Sequence, residues 1–400
     1  MSLLPKVVLN KKYFAGEATI LVSKDKDVVY AQDTYSKAII AEGADLNTTL
    51  SRLWAKVKLP PDHPTSPNTV VNNRIVIKAG WYPLSGLLDF PPLQSSVIDA
   101  KGVTTTGAGL RFDSMMDTYV YWGVHSGQTN GVGVEFAPRT AGPDGFKVIT
   151  CSKVVFTSAG TGLTPPYPSG SSGVKFNAAE GTIVRGNRFW VLGVGGGDFG
   201  AYIPNPGAGM YVVNNTFKFG YIQDCNTCLR VGDSSTGRIA NNKYRIDVLQ
   251  PVSGGAGIVT YSQDEVFEIL GVHSNVGANK AIVFEGQAQD LIVHALAGAF
   301  WGKGLTNNST GNQHIKVLTP AYPNPSDITV GDSPFTYQNR DCVSEMVIVQ
   351  AGTVSSIMIS RDGVTFYDTG LVSGFFRLEP GDYIKVTYTE APIMRKFMCS

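Results

Sequence analysis

Two carboxylates, Asp233 and Glu285, and four other polar or aromatic residues, Lys175, Asn177, Arg230 and Tyr261, have types and spacings that fit carbohydrate chemistry. A glycosidic bond is hydrolysed between paired carboxyl groups about 5 Å apart for retention, or about 6.5–9.5 Å apart for inversion. If the runs carrying Asp233 and Glu285 lie two stacked strands apart, their backbones stand about 10 Å from one another. Their side chains can then close to the inverting range. Asp233 also opens the stretch Asp233-Ser234-Ser235 after Gly232, where Asp is favoured simply because it stabilises turns. A polysaccharide lyase would instead use Lys175 and Arg230 as base and as neutraliser of an acidic sugar's carboxylate. Binding without cleavage needs the same mixture: an aromatic ring against the apolar face of a pyranose, with cations and amides holding hydroxyls or carboxylates. Lys175, Asn177, Arg230 and Tyr261 are the residues expected to bind glycan, and Asp233 with Glu285 the carboxylate pair that hydrolysis would use.

Other patterns carry less. Gly195-Gly196-Gly197-Asp198-Phe199-Gly200 matches a dinucleotide fingerprint, but Pro204 and Pro206 follow too soon for the helix that would hold a pyrophosphate. The segment reads as a glycine loop. Cys225 and Cys228 form half of a zinc site with no second pair, so packed thiols are expected. The five histidines (His63, His125, His273, His294, His314) are isolated, and no Ser or Cys has a triad partner. Neither a cofactor nor a metal is expected. Sequons at Asn47, Asn214, Asn307 and Asn308 would accept glycans on an externally displayed protein.

These residues need elements to position them. The 400 residues include 45 Gly and 22 Pro and are only 16% charged, a composition that favours strands and turns. A net charge of +1 supplies no broad field for nucleic acid or an anionic membrane. No apolar stretch reaches the length of a membrane helix; the longest, from Leu291 to Trp301, carries His294. The N-terminus lacks the layout of a secretory signal. Leu46, Leu50, Leu53, Trp54 and Val57 fall on one helical face, with Asn47, Thr48 and Thr49 as the expected cap. A Pro- and Asn-rich stretch from Pro60 to Asn73 reads as a linker.

Beyond it, short β-branched runs recur. Those starting at Cys228, Gly257 and Ala281 lie 29 and 24 residues apart; the run at Gly173 precedes the first by 55, room for two turns if Met210-Tyr211-Val212-Val213 is the strand between. Each run is followed by a second strand, at Thr182, Arg238, Val266 and Leu291. Such units bury apolar surface only by stacking, which points to a parallel β-helix with the lone helix as its lid. Strand parity puts Val174, Phe176, Leu229, Val231, Ile258, Thr260, Ile282 and Phe284 inside. It turns Lys175/Arg230/Val259/Val283 and Asn177/Gly232/Tyr261/Glu285 outward. A last weak turn runs from Gly304 to Leu318. After several prolines, five strands between Met346 and Tyr388 predict a small antiparallel sandwich, with Asp362-Gly363 as a two-residue hairpin turn. The expected units are residues 1–68 (N-terminal segment and capping helix), 69–325 (parallel β-helix) and 326–400 (C-terminal β-sandwich).

The helix at 46–57, the run Ile75-Val76-Ile77-Lys78-Ala79-Gly80-Trp81-Tyr82-Pro83-Leu84, and Val97-Ile98-Asp99-Ala100-Lys101-Gly102 with Gly107-Ala108-Gly109 resemble the opening of pectin-lyase-like β-helix proteins. The likeness spans roughly residues 40–320 and concerns the fold. A capped right-handed β-helix followed by a sandwich further resembles virus tailspikes, including those of archaeal viruses. That resemblance implies a homotrimer on the virion surface, outside the cell, mounted through its N-terminal segment, binding host-surface polysaccharide or glycoprotein without entering a membrane. The alternatives are a glycoside hydrolase or polysaccharide lyase on the same scaffold, and a cellular adhesin or surface-layer protein. The paired aspartates, His-Gly and Arg-x-Lys of polygalacturonase-like enzymes are missing, as is the acidic calcium cluster of pectate lyases, so binding without cleavage is the leading expectation.

Overall fold

A computed structural model describes residues 20–58, 69–71, 73–139, 147–177, 182–205, 211–233, 239–272, 280–286, 288–295, 305–309, 313–317, 325–340 and 344–399. Strands dominate, and helix α1 (Leu46–Val57) is the one α-helix among the described residues. The protein is all-β.

Most strands belong to three parallel ladders. The first joins Leu88–Phe90, Leu110–Phe112, Val132–Phe136, Ser172–Phe176, the C-terminal halves of Arg188–Ile203 and Thr216–Val231, then Ala256–Thr260, Lys280–Phe284 and Leu305–Asn307. The second includes Val97–Gly107, Tyr119–Gly127, Lys153–Gly160, the N-terminal halves of the two long strands, Lys243–Gln250, Val266–Ile269, Leu291–Ala295 and Gln313–Val317. The third holds short strands from Val70–Val71 to Ile239–Ala240. The chain visits first, third and second ladders in the same order, repeatedly. As expected, the runs at 228, 257 and 281 pair parallel, with Leu229 against Ile258 and Ile258 against Ile282.

Inward side chains stack in register. The rings of Phe90, Phe112, Phe136 and Phe176 stack nearly parallel along the first ladder, with centroids 4.4–5.3 Å apart. Phe189, Phe217, Tyr244 and Phe267 do the same along the second, at 4.8–5.3 Å. The columns meet edge-on where Phe176 packs on Phe189 and Phe217. Each buried ring contributes a large apolar area and each pair about 0.5–1.5 kcal/mol besides.

Beside the second ladder, buried polar side chains form a second column. Asn187 donates to Asn215 (2.9 Å), Asn215 to Asn242 (2.9 Å) and Asn242 to Glu265 (3.0 Å). Each amide also bonds main-chain groups of adjacent turns, so backbone groups that the turns leave unpaired are satisfied. Glu265 ends the column fully buried. Burial pushes its carboxyl well above the ordinary value, against the opposing effect of the bonds from Asn242.

Helix α1 buries the expected Leu46, Leu50, Leu53, Trp54 and Val57. Its cap is Asp45, two residues before the expected group, with Thr48 N donating to the Asp45 carboxylate (2.7 Å) and Ser85 Oγ donating to its other oxygen. Burial alone would raise the Asp45 carboxyl; these bonds outweigh it and lower the value. Residues 20–43 form three strands, the first pairing parallel with Arg74–Ile77, so this part of the N-terminal segment extends the second ladder. The Lys-Asp alternation at 24–27 is the hairpin between the first two of these strands. Most of the expected linker, residues 60–73, lies outside the described residues.

Three other expectations are corrected. Gly195–Gly200 is not a loop: it sits inside the strand Arg188–Ile203. That strand leaves the second ladder and enters the first, and the corner falls at Gly196 (φ +70°) and Gly197 (φ +141°), conformations that side chains with Cβ resist. A Cβ on Gly200 would come within 2.2 Å of Ile222. The strands following each run are not equivalent either: Thr182–Arg185 and Ile239–Ala240 belong to the third ladder, Val266–Ile269 and Leu291–Ala295 to the second. Finally, Asp362-Gly363 is part of a longer loop, because Ile359 pairs with Tyr367. The Asp362 carboxylate there accepts from Val364 N and Thr365 N, a side-chain-stabilised turn.

In the C-terminal region, two four-stranded antiparallel sheets carry a core of Val347, Val349, Ile357, Phe376, Leu378, Ile384, Val386 and Met394. The strands Ser326–Ile328, Phe335–Gln338 and Ile393–Cys399 add to those expected, and Val364–Phe366 is not a strand.

Candidate functional site

The outward side chains of the first ladder form one column. In register it reads Asp89, Arg111, Glu135, Lys175, Tyr202, Arg230, Val259, Val283. Alternating charge occupies its first half. Arg111 makes a two-pronged bond to Asp89 (2.7 and 3.1 Å), and Arg139 binds the same carboxylate at 2.9 Å. Burial would raise Asp89, but these bonds and charges hold it below the ordinary value; the bond to Asp89 in turn raises Arg111. A cavity of about 580 Å³ between α1 and this end is lined by Trp54, Lys58, Asp89, Phe90, Asp113 and Arg139. Its Asp89 and Arg139 satisfy one another.

In the middle of the column the cations meet aromatic rings. Lys175 Nζ lies 5.4 Å from the Tyr202 ring centroid, and the Arg230 guanidinium lies 4.8 Å from that of Tyr261 and 5.7 Å from that of Phe199. Phe199 packs on Tyr202 at 4.6 Å, tilted by 45°. The Tyr202 hydroxyl donates to Asp233 Oδ2 (2.6 Å); Arg230 Nε donates to Gly232 O (3.0 Å) and stands 3.5 Å from Asp233 Oδ1. Asp233 N donates to Asn205 Oδ1 (3.0 Å). Burial, and then the bond to Asp233 and its charge, push the Tyr202 phenol far up, so it remains a hydroxyl donor. A smaller cavity of about 280 Å³ adjoins, lined among others by Leu87, Arg111, Thr129, Glu135 and Lys175.

The structure therefore brings together three of the four expected binding residues, Lys175, Arg230 and Tyr261, with Asp233 beneath them. Asn177 is one position along from Lys175, where its amide donates to Glu135 (2.9 Å) and fixes that carboxylate. The strands that lead to Asp233 and Glu285 lie two apart, as expected; Glu285 accepts from Asn308 (2.9 Å), whereas Asp233 accepts from Tyr202. The two carboxylates thus have separate partners.

Outward parity does not always mean exposure. Val259 and Val283, expected outside, are buried with Ala256 in a small cluster against Tyr261, because adjacent branched side chains shield one another on neighbouring strands. The polar face accordingly ends at Arg230 and Tyr261.

Phe199 and Tyr202 were missed. The strand between Phe176 and Leu229 in this ladder is the end of Arg188–Ile203, with Ala201 between Val174 and Leu229. Tyr211–Val213, next to the expected Met210, lies in the third ladder instead. The available signal was the spacing of Tyr202, which precedes Arg230 by one repeat.

Cys225 and Cys228 are buried, their sulfurs 3.7 Å apart, and burial raises the Cys228 thiol. Both are packed thiols, as expected. Among the described residues no three metal-ligating side chains cluster. Cys342, His63 and His273 lie outside them. No family model matches the sequence, and no curated protein matches it.

Proposed function

We propose that the three ladders close into a right-handed parallel β-helix, capped by α1 and followed by an antiparallel β-sandwich, and that this protein is a virus attachment protein of the tailspike kind binding a host-surface glycan. Handedness, a homotrimeric state, a virion-surface location outside the cell and mounting through the N-terminal segment follow from the resemblance named above. One observation carries the binding reading: Lys175, Tyr202, Arg230 and Tyr261 sit side by side on consecutive strands, with Phe199 beneath Tyr202. The Tyr202 and Tyr261 rings, two strands or about 10 Å apart, offer apolar faces to pyranoses, and the cations beside them take hydroxyls or carboxylates. Asp233 braces both Tyr202 and Arg230, a role in binding rather than cleavage.

A glycan array probed with the wild type and with Tyr202→Ala, Arg230→Ala and Tyr261→Ala tests this. At least one glycan class binds the wild type, and each variant weakens it by about tenfold or more, or ~1.4 kcal/mol. Equal binding by all three variants removes the site from this face. New reducing ends or unsaturated uronates in the incubated glycan would establish the enzyme reading instead.

A further inference from the structure

The second ladder has an outward face of its own, remote in composition from the one just described. Across five consecutive parallel strands its register runs Asp99, Tyr121, Val155, Trp190 and Lys218, with Lys101 two residues after Asp99 and Lys153 two residues before Val155. Lys101 Nζ is 4.5 Å from the Tyr121 ring centroid. Lys153 Nζ spans two rings, 5.8 Å from Tyr121 and 4.5 Å from Trp190, and Lys218 Nζ is 5.9 Å from Trp190. Cation and ring thus alternate without a break. Arg188, level with Lys153, widens the strip.

Among the described residues the carboxylates of this face lie towards its ends, and Asp247, on the strand next to Lys218, is paired with Arg245 (3.9 Å). Asp99 is shared by Arg74 (3.7 Å) and Lys101 (3.8 Å), and Glu268 is held by Lys243 (2.7 Å). Among the described residues no carboxylate pairs with Lys153, Arg188 or Lys218. The central charges are therefore uncompensated, yet their ammonium groups rest on rings that restrict their motion. Part of the ordering cost of binding an anion is already met.

Lys101, Lys153 and Lys218 occupy alternate strands, so they step by about 10 Å in the ladder direction, with Lys101 and Lys153 set to opposite sides of the line through Tyr121, Trp190 and Lys218. We propose that this strip binds a linear polysaccharide carrying one carboxylate per disaccharide, laid along the ladder with an acid at every second sugar. The length of two pyranoses matches the lysine spacing, and the ring edges of Tyr121 and Trp190 meet the uncharged sugar between. Single-stranded nucleic acid fits less well. It carries a charge on every nucleotide and needs open ring faces for its bases, whereas lysines cover the rings here and Asp99 and Glu268 flank the strip.

Trp190 supplies the readout, because anion binding at Lys153 and Lys218 changes its surroundings. The full chain is titrated at low salt with hyaluronan oligosaccharides, polygalacturonate and an oligothymidylate, following tryptophan fluorescence and calorimetry. Hyaluronan binds best and weakens as salt rises; Lys153→Ala/Lys218→Ala loses about tenfold or more in affinity. Lys153→Arg/Lys218→Arg retains binding, and Trp190→Phe, which removes the reporting ring of this strip, abolishes the fluorescence change. All of these substitutions lie on the second ladder, so the outcome is independent of the glycan reading above. No hyaluronan binding by the wild type, or equal binding by the double alanine variant, overturns the proposal. Tighter binding of polygalacturonate overturns the spacing, and tighter binding of the oligothymidylate overturns the ligand class.

Discussion

His125 illustrates what a single buried group does in this protein. Its Nδ1 lies 2.9 Å from Thr105 Oγ1, which itself accepts from Trp122 Nε1 at 3.3 Å, and its Nε2 lies 3.2 Å from Gly127 O. The arrangement assigns Nε2 as the N–H donor and Nδ1 as acceptor. Burial lowers the imidazole to about 4, against the smaller opposing effect of its backbone bonds. The unfolded chain therefore takes up a proton that the folded chain refuses between about pH 6.5 and 4. Stability from this group is complete above that window and falls as pH drops through it, by about 3 kcal/mol in full. Urea denaturation from pH 7 to 4 should show that slope in the wild type and a shallower one in His125→Gln. Parallel slopes would mean that His125 titrates normally in the folded state.

Among the elements, the Asn187–Asn215–Asn242 column ties several strands together through buried amides. Asn215 donates to Val184 O (3.0 Å), Val213 O (3.1 Å) and Asn242, and accepts from Asn187. Asn215→Ala leaves buried donors and acceptors without partners on both sides. We expect a loss of about 3–5 kcal/mol, whereas Asn241→Ala, on the exposed corner beside the column, should cost far less; chemical denaturation of both variants measures the difference. This column was hidden in the sequence, because Asn in turns is common for reasons of local geometry. Helix α1 was legible since only a 3.6-residue period aligns Leu46, Leu50, Leu53, Trp54 and Val57. The runs at 228, 257 and 281 were legible through their alternation and nearly regular spacing. The strand Arg188–Ile203 was not, because Gly195–Gly200 erases the alternation that marks a strand, and with it went Phe199 and Tyr202. Lys175, Arg230 and Tyr261 were found from parity alone; the burial of Val259 and Val283 depends on neighbours that parity does not describe.

At the scale of the whole molecule, two hydrophobic cores are separate. One runs through the three ladders and α1, and the other is confined to the two antiparallel sheets. Calorimetry is expected to resolve two transitions, and Ile384→Ala, which opens a cavity in the smaller core, should lower only one, by about 2–5 kcal/mol. A single transition displaced as a unit would show that the cores unfold together. The larger core also sets how this protein can change length. Asn187, Asn215 and Asn242 are 28 and 27 residues apart, and each plays the same part for its neighbour. Excising or duplicating one such segment would splice an identical amide onto an identical amide, so whole-repeat edits of the ladders should be tolerated better than fractional ones. Each such edit would move the outward groups of the ladders on either side of it by a single increment of about 4.8 Å, which makes their spacing a discrete quantity.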